Sequence, residues 1–277
     1  MQAFVRLEAK LTRRMQHQPY WIAGQAASEA FTTAMTAGAM SSTTAASDFV
    51  FVSIDFEGNP EERGVSEFGV AKLDTRSCDP TIESANFRLK DMYKGHKYMH
   101  GETTRIKPTQ LSETIINELT VKNDPDDKNT PRNRRIVLVG HGLKSDLRIM
   151  EALNLHIEEL PMVIGLFDTL ALASDILGCT PSLEKLLAAL RIPTRERLFH
   201  CAGNDAHYAM QALLALIQTR HDCTAPDGSC SDGFASLEKL ARQPAPVPPG
   251  WRLEGRYFGP KPYGHIVVPS PKSESYE

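Results

Sequence analysis

Phe49-Val50-Phe51-Val52-Ser53-Ile54-Asp55-Phe56-Glu57-Gly58 holds the first segment of this chain that reads as a buried strand. Its opening six residues are apolar or small and rich in β-branched and aromatic types, the composition of a strand covered on both faces. Asp55 and Glu57 follow, two residues apart. Residues i and i+2 of a strand share a face, so two carboxylates leave the strand end side by side. Like charges held that close repel, and a fold tolerates them mainly when a cation sits between them. The stretch predicts a divalent-metal site with further ligands elsewhere in the chain.

On either side of this strand the chain changes character. Residues 1–47 hold only two acids, Glu8 and Glu29, and are rich in Ala, Ser and Thr. Phe4, Leu7, Leu11 and Met15 fall on one helical face, with Arg6, Lys10, Arg13 and Arg14 beside them. This is a flexible N-terminal arm or a mitochondrial targeting segment. Residues 48–222 carry the periodic apolar pattern of a folded domain. Residues 223–277 contain nine prolines and form a Pro-rich tail. A short helix over Phe234 to Leu240 is the regular element expected there. Trp251, Tyr257, Phe258 and Tyr263 could dock a protein partner or an RNA, or the tail could pack on the domain or stay disordered.

Along the domain, strands are expected at 49–56, Ser66 to Leu73 and Ile82 to Leu89, with a turn at Gly58-Asn59-Pro60. Residues 90–108 read as an exposed loop in which Lys90, Lys94, Lys97, Arg105 and Lys107 interleave with Tyr93, His96, Tyr98 and His100. That pattern suits phosphate contacts and base stacking, or a solvated polar loop. A helix over Leu111 to Leu119, a strand over Ile136 to Val139, a helix from Leu143 to Leu153 and a strand over Met162 to Phe167 follow. Helices cover 169–177, 182–190 and 203–220. A three-stranded meander followed by βαβ units makes an α/β fold, a mixed central sheet flanked by helices.

Composition excludes several roles. The formal net charge of −3 argues against nucleic-acid packaging. It is no obstacle to a nuclease, whose acidic metal site can offset a basic groove. Five irregularly spaced cysteines without a Cys-x-x-Cys pair suit a reduced, intracellular compartment, cytoplasmic or nuclear, with mitochondrial import compatible. No run is long and apolar enough for a membrane span. A Gly-rich phosphate loop and Gly-x-Ser-x-Gly are both lacking.

Two further spaced pairs complete the set. His141 and Asp146 lie five apart at a strand-to-helix junction, and His200 and Asp205 lie five apart where a loop enters the last long helix. Asp205 is also a favoured acid for a helix first turn. His141 either lines the site or satisfies a backbone group, His207 is structural, and Asp168 caps the helix that follows it. The ordered set Asp-x-Glu, Gly-His-x-x-x-x-Asp, Asp-Thr-Leu and His-x-x-x-x-Asp resembles the DEDDh branch of the DEDD 3′-to-5′ exonucleases, over roughly residues 48–222. The run 202–208 is similar to a subgroup found largely in fungi.

This resemblance implies a ribonuclease H-like fold and hydrolysis of single-stranded RNA or DNA from a free 3′ end to 5′-nucleoside monophosphates. It implies that Asp55, Glu57 and Asp205 hold one Mg²⁺ or Mn²⁺, and that Asp55 with Asp146 holds the second. Two such ions can clamp the attacking and leaving oxygens. His200 would be the general base. Phe56, Gly58 and His141 are the candidate substrate contacts. Two positions depart from the family pattern. Gly58-Asn59-Pro60 stands where many members have Thr or Thr-Gly, and Gly142 where many have Asn. A catalytically idle nucleic-acid- or protein-binding module on the same fold is the alternative. The presence of all five catalytic positions favours the enzyme.

Overall fold

The computed structural model describes residues 49–59, 64–74, 80–89, 96–123, 133–194, 199–224 and 239–244. The arm or targeting segment expected over 1–47 lies outside the described residues, as do Trp251, Tyr257, Phe258 and Tyr263. Among those described, six strands form one sheet: β1 (Phe49–Asn59), β2 (Gly64–Asp74), β3 (Ile82–Leu89), β4 (Thr103–Ile106), β5 (Arg135–Gly140) and β6 (Val163–Asp168), in the order β4-β3-β2-β1-β5-β6. β1–β2 and β2–β3 pair antiparallel; β3–β4, β1–β5 and β5–β6 pair parallel. Helices α1 (Leu111–Glu118) and α2 (Lys144–Ala152) pack on one face. Helices α3 (Thr169–Leu177), α4 (Leu183–Ala189) and α5 (Ala202–Thr224) pack on the other. This is a mixed α/β sheet flanked by helices, consistent with the expected ribonuclease H-like fold. No helix among the described residues is long and apolar enough to cross a membrane.

β1 is buried on both sides, as its composition demands. Val50, Val52, Ile54 and Phe56 join the core under α1 and α2, whereas Phe51 joins the core under α5. Phe56, Phe68 and Phe87 stand opposite one another on three adjacent strands. Their rings stack with centroids 4.9 and 5.9 Å apart. Cross-strand aromatic rows of this kind fix register. β1 runs past its last partner on β5, Ser53 opposite Val139, so residues 54–59 project beyond the end of β5. Asp55 and Glu57 lie on that projection.

Two expectations are corrected. The turn placed at Gly58-Asn59-Pro60 is later, because β1 continues to Asn59 across a bulge between Glu57 and Gly58. Gly58 takes φ 108°, and an added Cβ would overlap the Gly64 carbonyl. The stretch 90–108 is not one exposed loop: Thr103–Ile106 is an edge strand, and Tyr98 and Met99 are buried. A short segment beyond α5 also joins the core. Leu240 and Ala241 are buried in it, and Gln211 Nε2 donates to the Leu240 and Gln243 carbonyls.

The sheet and α5 meet at an unusually close contact. Gly69 on β2 lies directly opposite Asp55, and a Cβ there would overlap the Ala202 carbonyl and the Gly203 nitrogen. A Cβ on Gly203 would lie 2.6 Å from Asn86 Cβ. Two bare backbones therefore let the first turn of α5 rest on the strands. Gly69→Ala should cost stability at or above the top of the roughly 1–3 kcal/mol range typical of overpacking. Chemical denaturation measures it, and a loss under 1 kcal/mol would show that α5 does not sit this close.

Candidate active site

Asp55 and Glu57 emerge on the α5 face of β1, and the first turn of α5 carries Asp205. One carboxylate oxygen from each of the three lies within 4.8 Å of the others. The spacing of His200 and Asp205 has a local cause. His200 takes a left-handed backbone, φ 63°, and its N–H donates to Asp205 Oδ2 at 2.8 Å. A non-glycine residue is costly there, though His tolerates it better than most. The bend leaves the His200 side chain 80% exposed, with Nδ1 3.9 Å from Glu57 Oε1.

Asp146, on the helix across the sheet, is not one of the converging trio, though its charge acts on Asp55. Its Oδ1 accepts the Phe56 N–H at 3.1 Å, a donor left over because β1 outruns β5. Asp168 fixes the helix that carries it. Its carboxylate accepts N–H groups from Gly142, Leu143 and Leu170 at 2.8, 3.0 and 2.9 Å, capping α3 and holding the turn into α2. Asp168 thus has its expected capping role. Gly142 lies at φ 74°, a conformation that Gly and Asn both adopt readily, which accounts for Gly where Asn is common.

The named substrate contacts do not converge. Phe56 points away from Asp55 and Glu57 into the phenylalanine row and is 8% exposed, because adjacent strand residues face opposite sides. Its contribution to the site is its N–H. Gly58 lies in the bulge, where geometry already requires glycine. His141 satisfies backbone: Nε2 lies 3.1 Å from the Pro181 carbonyl and Nδ1 3.0 Å from Thr169 Oγ1. A carbonyl only accepts, so Nε2 carries the ring proton. Burial lowers its pKa and keeps it neutral. His207, buried, stacks on His100 at 3.6 Å and meets Ser84 Oγ at 2.7 Å, the structural role expected of it. Of the interleaved loop residues, His96, Lys97, Arg105 and Lys107 are exposed, and the His96 ring lies 6.1 Å from that of His200. Lys90, Tyr93 and Lys94 lie outside the described residues.

The residues that hold this loop are invisible to sequence reasoning. Asn204 Oδ1 accepts the Met99 N–H, and its Nδ2 donates to the Lys97 carbonyl, both at 2.9 Å. Asn86 Oδ1 accepts the Gly203 N–H at 2.9 Å. Arg88 donates from Nη2 to the His96 carbonyl and from Nε to Glu67. Asn86 and Arg88 occupy the polar side of an alternating strand, a pattern that reads as solvent-facing.

Electrostatics match a cation site. Burial raises the Asp55 pKa well above the usual carboxylate range, and the charges of Asp146, Asp205, Glu57 and Glu67 raise it further. Burial pushes Asp146 up to about 7 against the Phe56 hydrogen bond, and Asp205 up to about 8, with Glu57 adding to it. Glu57 is raised by burial and partly relieved by His200. Asp205 Oδ1 is buried without a hydrogen-bond partner among the described residues. Three converging carboxylates with one orphaned oxygen fit a hard divalent cation.

A family model described as DNA polymerase III subunit epsilon-like, C-terminal domain, of the DEDDh group, matches residues 50–216. Among curated proteins no match is found.

The raised carboxylates set a pH dependence. An unfolded Asp ionises near 3.9, whereas Asp146 and Asp205 ionise near 7 and 8 in the fold. Between those values the folded state holds more protons, so these groups stabilise at low pH and that contribution is lost as pH rises. The neutral buried histidines act with the opposite sign, below about 6.5. In chelator, Tm should therefore fall from pH 6.5 to 8.5, and Mn²⁺ should raise Tm most at the alkaline end. A Tm in chelator that rises across that interval would contradict the assignment.

Proposed function

Because the chain belongs to the DEDDh exonuclease family of DNA polymerase III subunit epsilon-like domains, we propose that it is a 3′-to-5′ exonuclease of single-stranded nucleic acid. Membership gives a nuclease of a family that uses divalent cations. The polarity, the substrate form and the residue roles are the proposal. The observation that carries it is the trio of Asp55, Glu57 and Asp205 within 4.8 Å, with an orphaned oxygen on Asp205.

Asp55, Glu57 and Asp205 would hold one Mg²⁺ or Mn²⁺, and Asp55 with Asp146 a second. When bound, these cations supply charge stabilisation at the attacking and leaving oxygens of the phosphodiester. His200 does the proton work. Its Nδ1 faces Glu57, which leaves Nε2 to take the proton from the attacking water. Its exposure suits a group that must meet a substrate at the rim. Cleavage of the terminal linkage releases a 5′-nucleoside monophosphate. On the loop clamped by Asn204 and Arg88, exposed Lys97 supplies a cationic contact for the strand and exposed His96 a ring for stacking.

With 5′-labelled single-stranded RNA and DNA and Mg²⁺ or Mn²⁺, a ladder shortening from the 3′ end is expected. It should vanish with chelator and in Asp55→Ala. No ladder with any metal would leave the idle binding module as the better reading. His200→Ala should keep Mn²⁺ affinity and lower kcat by about two to four powers of ten, the usual worth of a general base. Loss of Mn²⁺ binding in that variant would make His200 a ligand instead.

A further inference from the structure

Glu67 is a carboxylate without an evident purpose. It lies on β2 directly opposite Glu57, so both side chains occupy the α5 face. Arg88 lies directly opposite Glu67 on β3. Glu57, Glu67 and Arg88 thus form one row across three strands. Glu67 is 2% exposed. Its Oε1 accepts Arg88 Nε at 2.5 Å, while Oε2 is buried with no hydrogen-bond partner among the described residues. Its charge acts on Asp55, Glu57 and Cys201. Yet Glu67 is not one of the converging trio.

A carboxylate kept only to neutralise Arg88 would have no reason to leave its second oxygen buried and unpaired where its charge acts on Asp55 and Glu57. Burying an acceptor unpaired is unfavourable, and more so beside like charges. The arrangement makes sense if a donor arrives with the cation. Small hard cations keep several waters when bound, and those waters are strong donors. Groups beyond the direct ligands commonly fix such waters and tune affinity.

We propose that Glu67 is a positioning residue for the cation held by Asp55, Glu57 and Asp205: it does not ligate, and its Oε2 accepts a hydrogen bond from water on the ion. Arg88 holds it in place through Oε1, and the same guanidinium pins the His96 carbonyl. The row therefore joins the metal site to the loop that faces the strand. This rests on the metal reading of the trio given above.

The test is Mn²⁺ titration of the full chain by calorimetry, with Tm recorded in chelator. Glu67→Gln keeps size and the acceptor for Arg88 but turns the second oxygen into a donor. Its Mn²⁺ Kd should rise about tenfold, the lower end for such partners, while its Tm in chelator is unchanged or higher. Glu67→Asp keeps the charge but withdraws the oxygen, and should weaken Mn²⁺ similarly. Wild-type Kd in Glu67→Gln would overturn the proposal and leave Glu67 a partner of Arg88. Wild-type Kd in Glu67→Asp would reduce Glu67 to a diffuse charge and overturn it equally. If Glu67→Gln fails to fold, Glu67→Asp decides alone. A wild-type chain that binds no Mn²⁺ would sink the metal reading itself, an outcome distinct from the other two.

Discussion

Helix α5 brings Asp205 to Asp55 because its first turn lies against β2 where Gly69 offers no side chain. Gly69 is the cross-strand partner of Asp55, so the open seat and the first acid of the trio share one rung of the sheet. A methyl group at that rung would lift the helix, and with it the third carboxylate. Asn86 then pins the Gly203 N–H, and Asn204 pins the loop before β4. Three elements distant in sequence are locked within two turns of one helix end. The apolar remainder of α5 then follows the sheet into the core.

The site works against the stability of the fold. Three carboxylates and the nearby Asp146 are desolvated together, and the structure offers them few donors, among them the His200 N–H for Asp205 and the Phe56 N–H for Asp146. The positive end of the α5 dipole helps, but only within the first turn. The imbalance is what gives a cation its affinity, since binding relieves repulsion that folding has already imposed. Both donors come from irregular backbone, a left-handed His200 and a β1 that outruns its parallel neighbour. The local distortions and the chemistry have one cause.

The carboxylates proposed as ligands were legible in the sequence and their supports were not. Asp55 and Glu57 announce themselves because a two-residue spacing on a buried strand leaves no apolar explanation. Asp146 and Asp205 stand in helix first turns after spaced histidines, a pattern that survives without coordinates. Gly69, Asn86 and Glu67 could not be found this way, because their roles depend on α5 and β1 meeting over β2. On an alternating strand, a polar residue reads as solvent-facing whether or not a helix covers it. β4 was missed for a related reason: Thr103–Ile106 is short and carries Arg105, and its conformation comes from pairing with β3. Tyr98 looked like a stacking platform, but the start of α5 buries it. The Phe56 ring faces away from Asp55 and Glu57, since adjacent strand residues point to opposite sides, and His141 takes the backbone-satisfying role that the sequence reading held as its alternative.

The docking of α5 also orders events during synthesis. β1, β2 and β3 form a local meander that can pair as soon as residue 89 has emerged from the ribosome. At that stage Asp55 and Glu57 are side by side, with neither Asp146 nor Asp205 yet made. The strand pairings to β5 and β6 follow, and the seat at Gly69 stays open until Ala202 and Gly203 arrive. The carboxylate cluster therefore cannot close on a nascent chain that lacks α5. The three acids come together only after Ala202–Thr224 has been made, well after the meander that carries the first two of them.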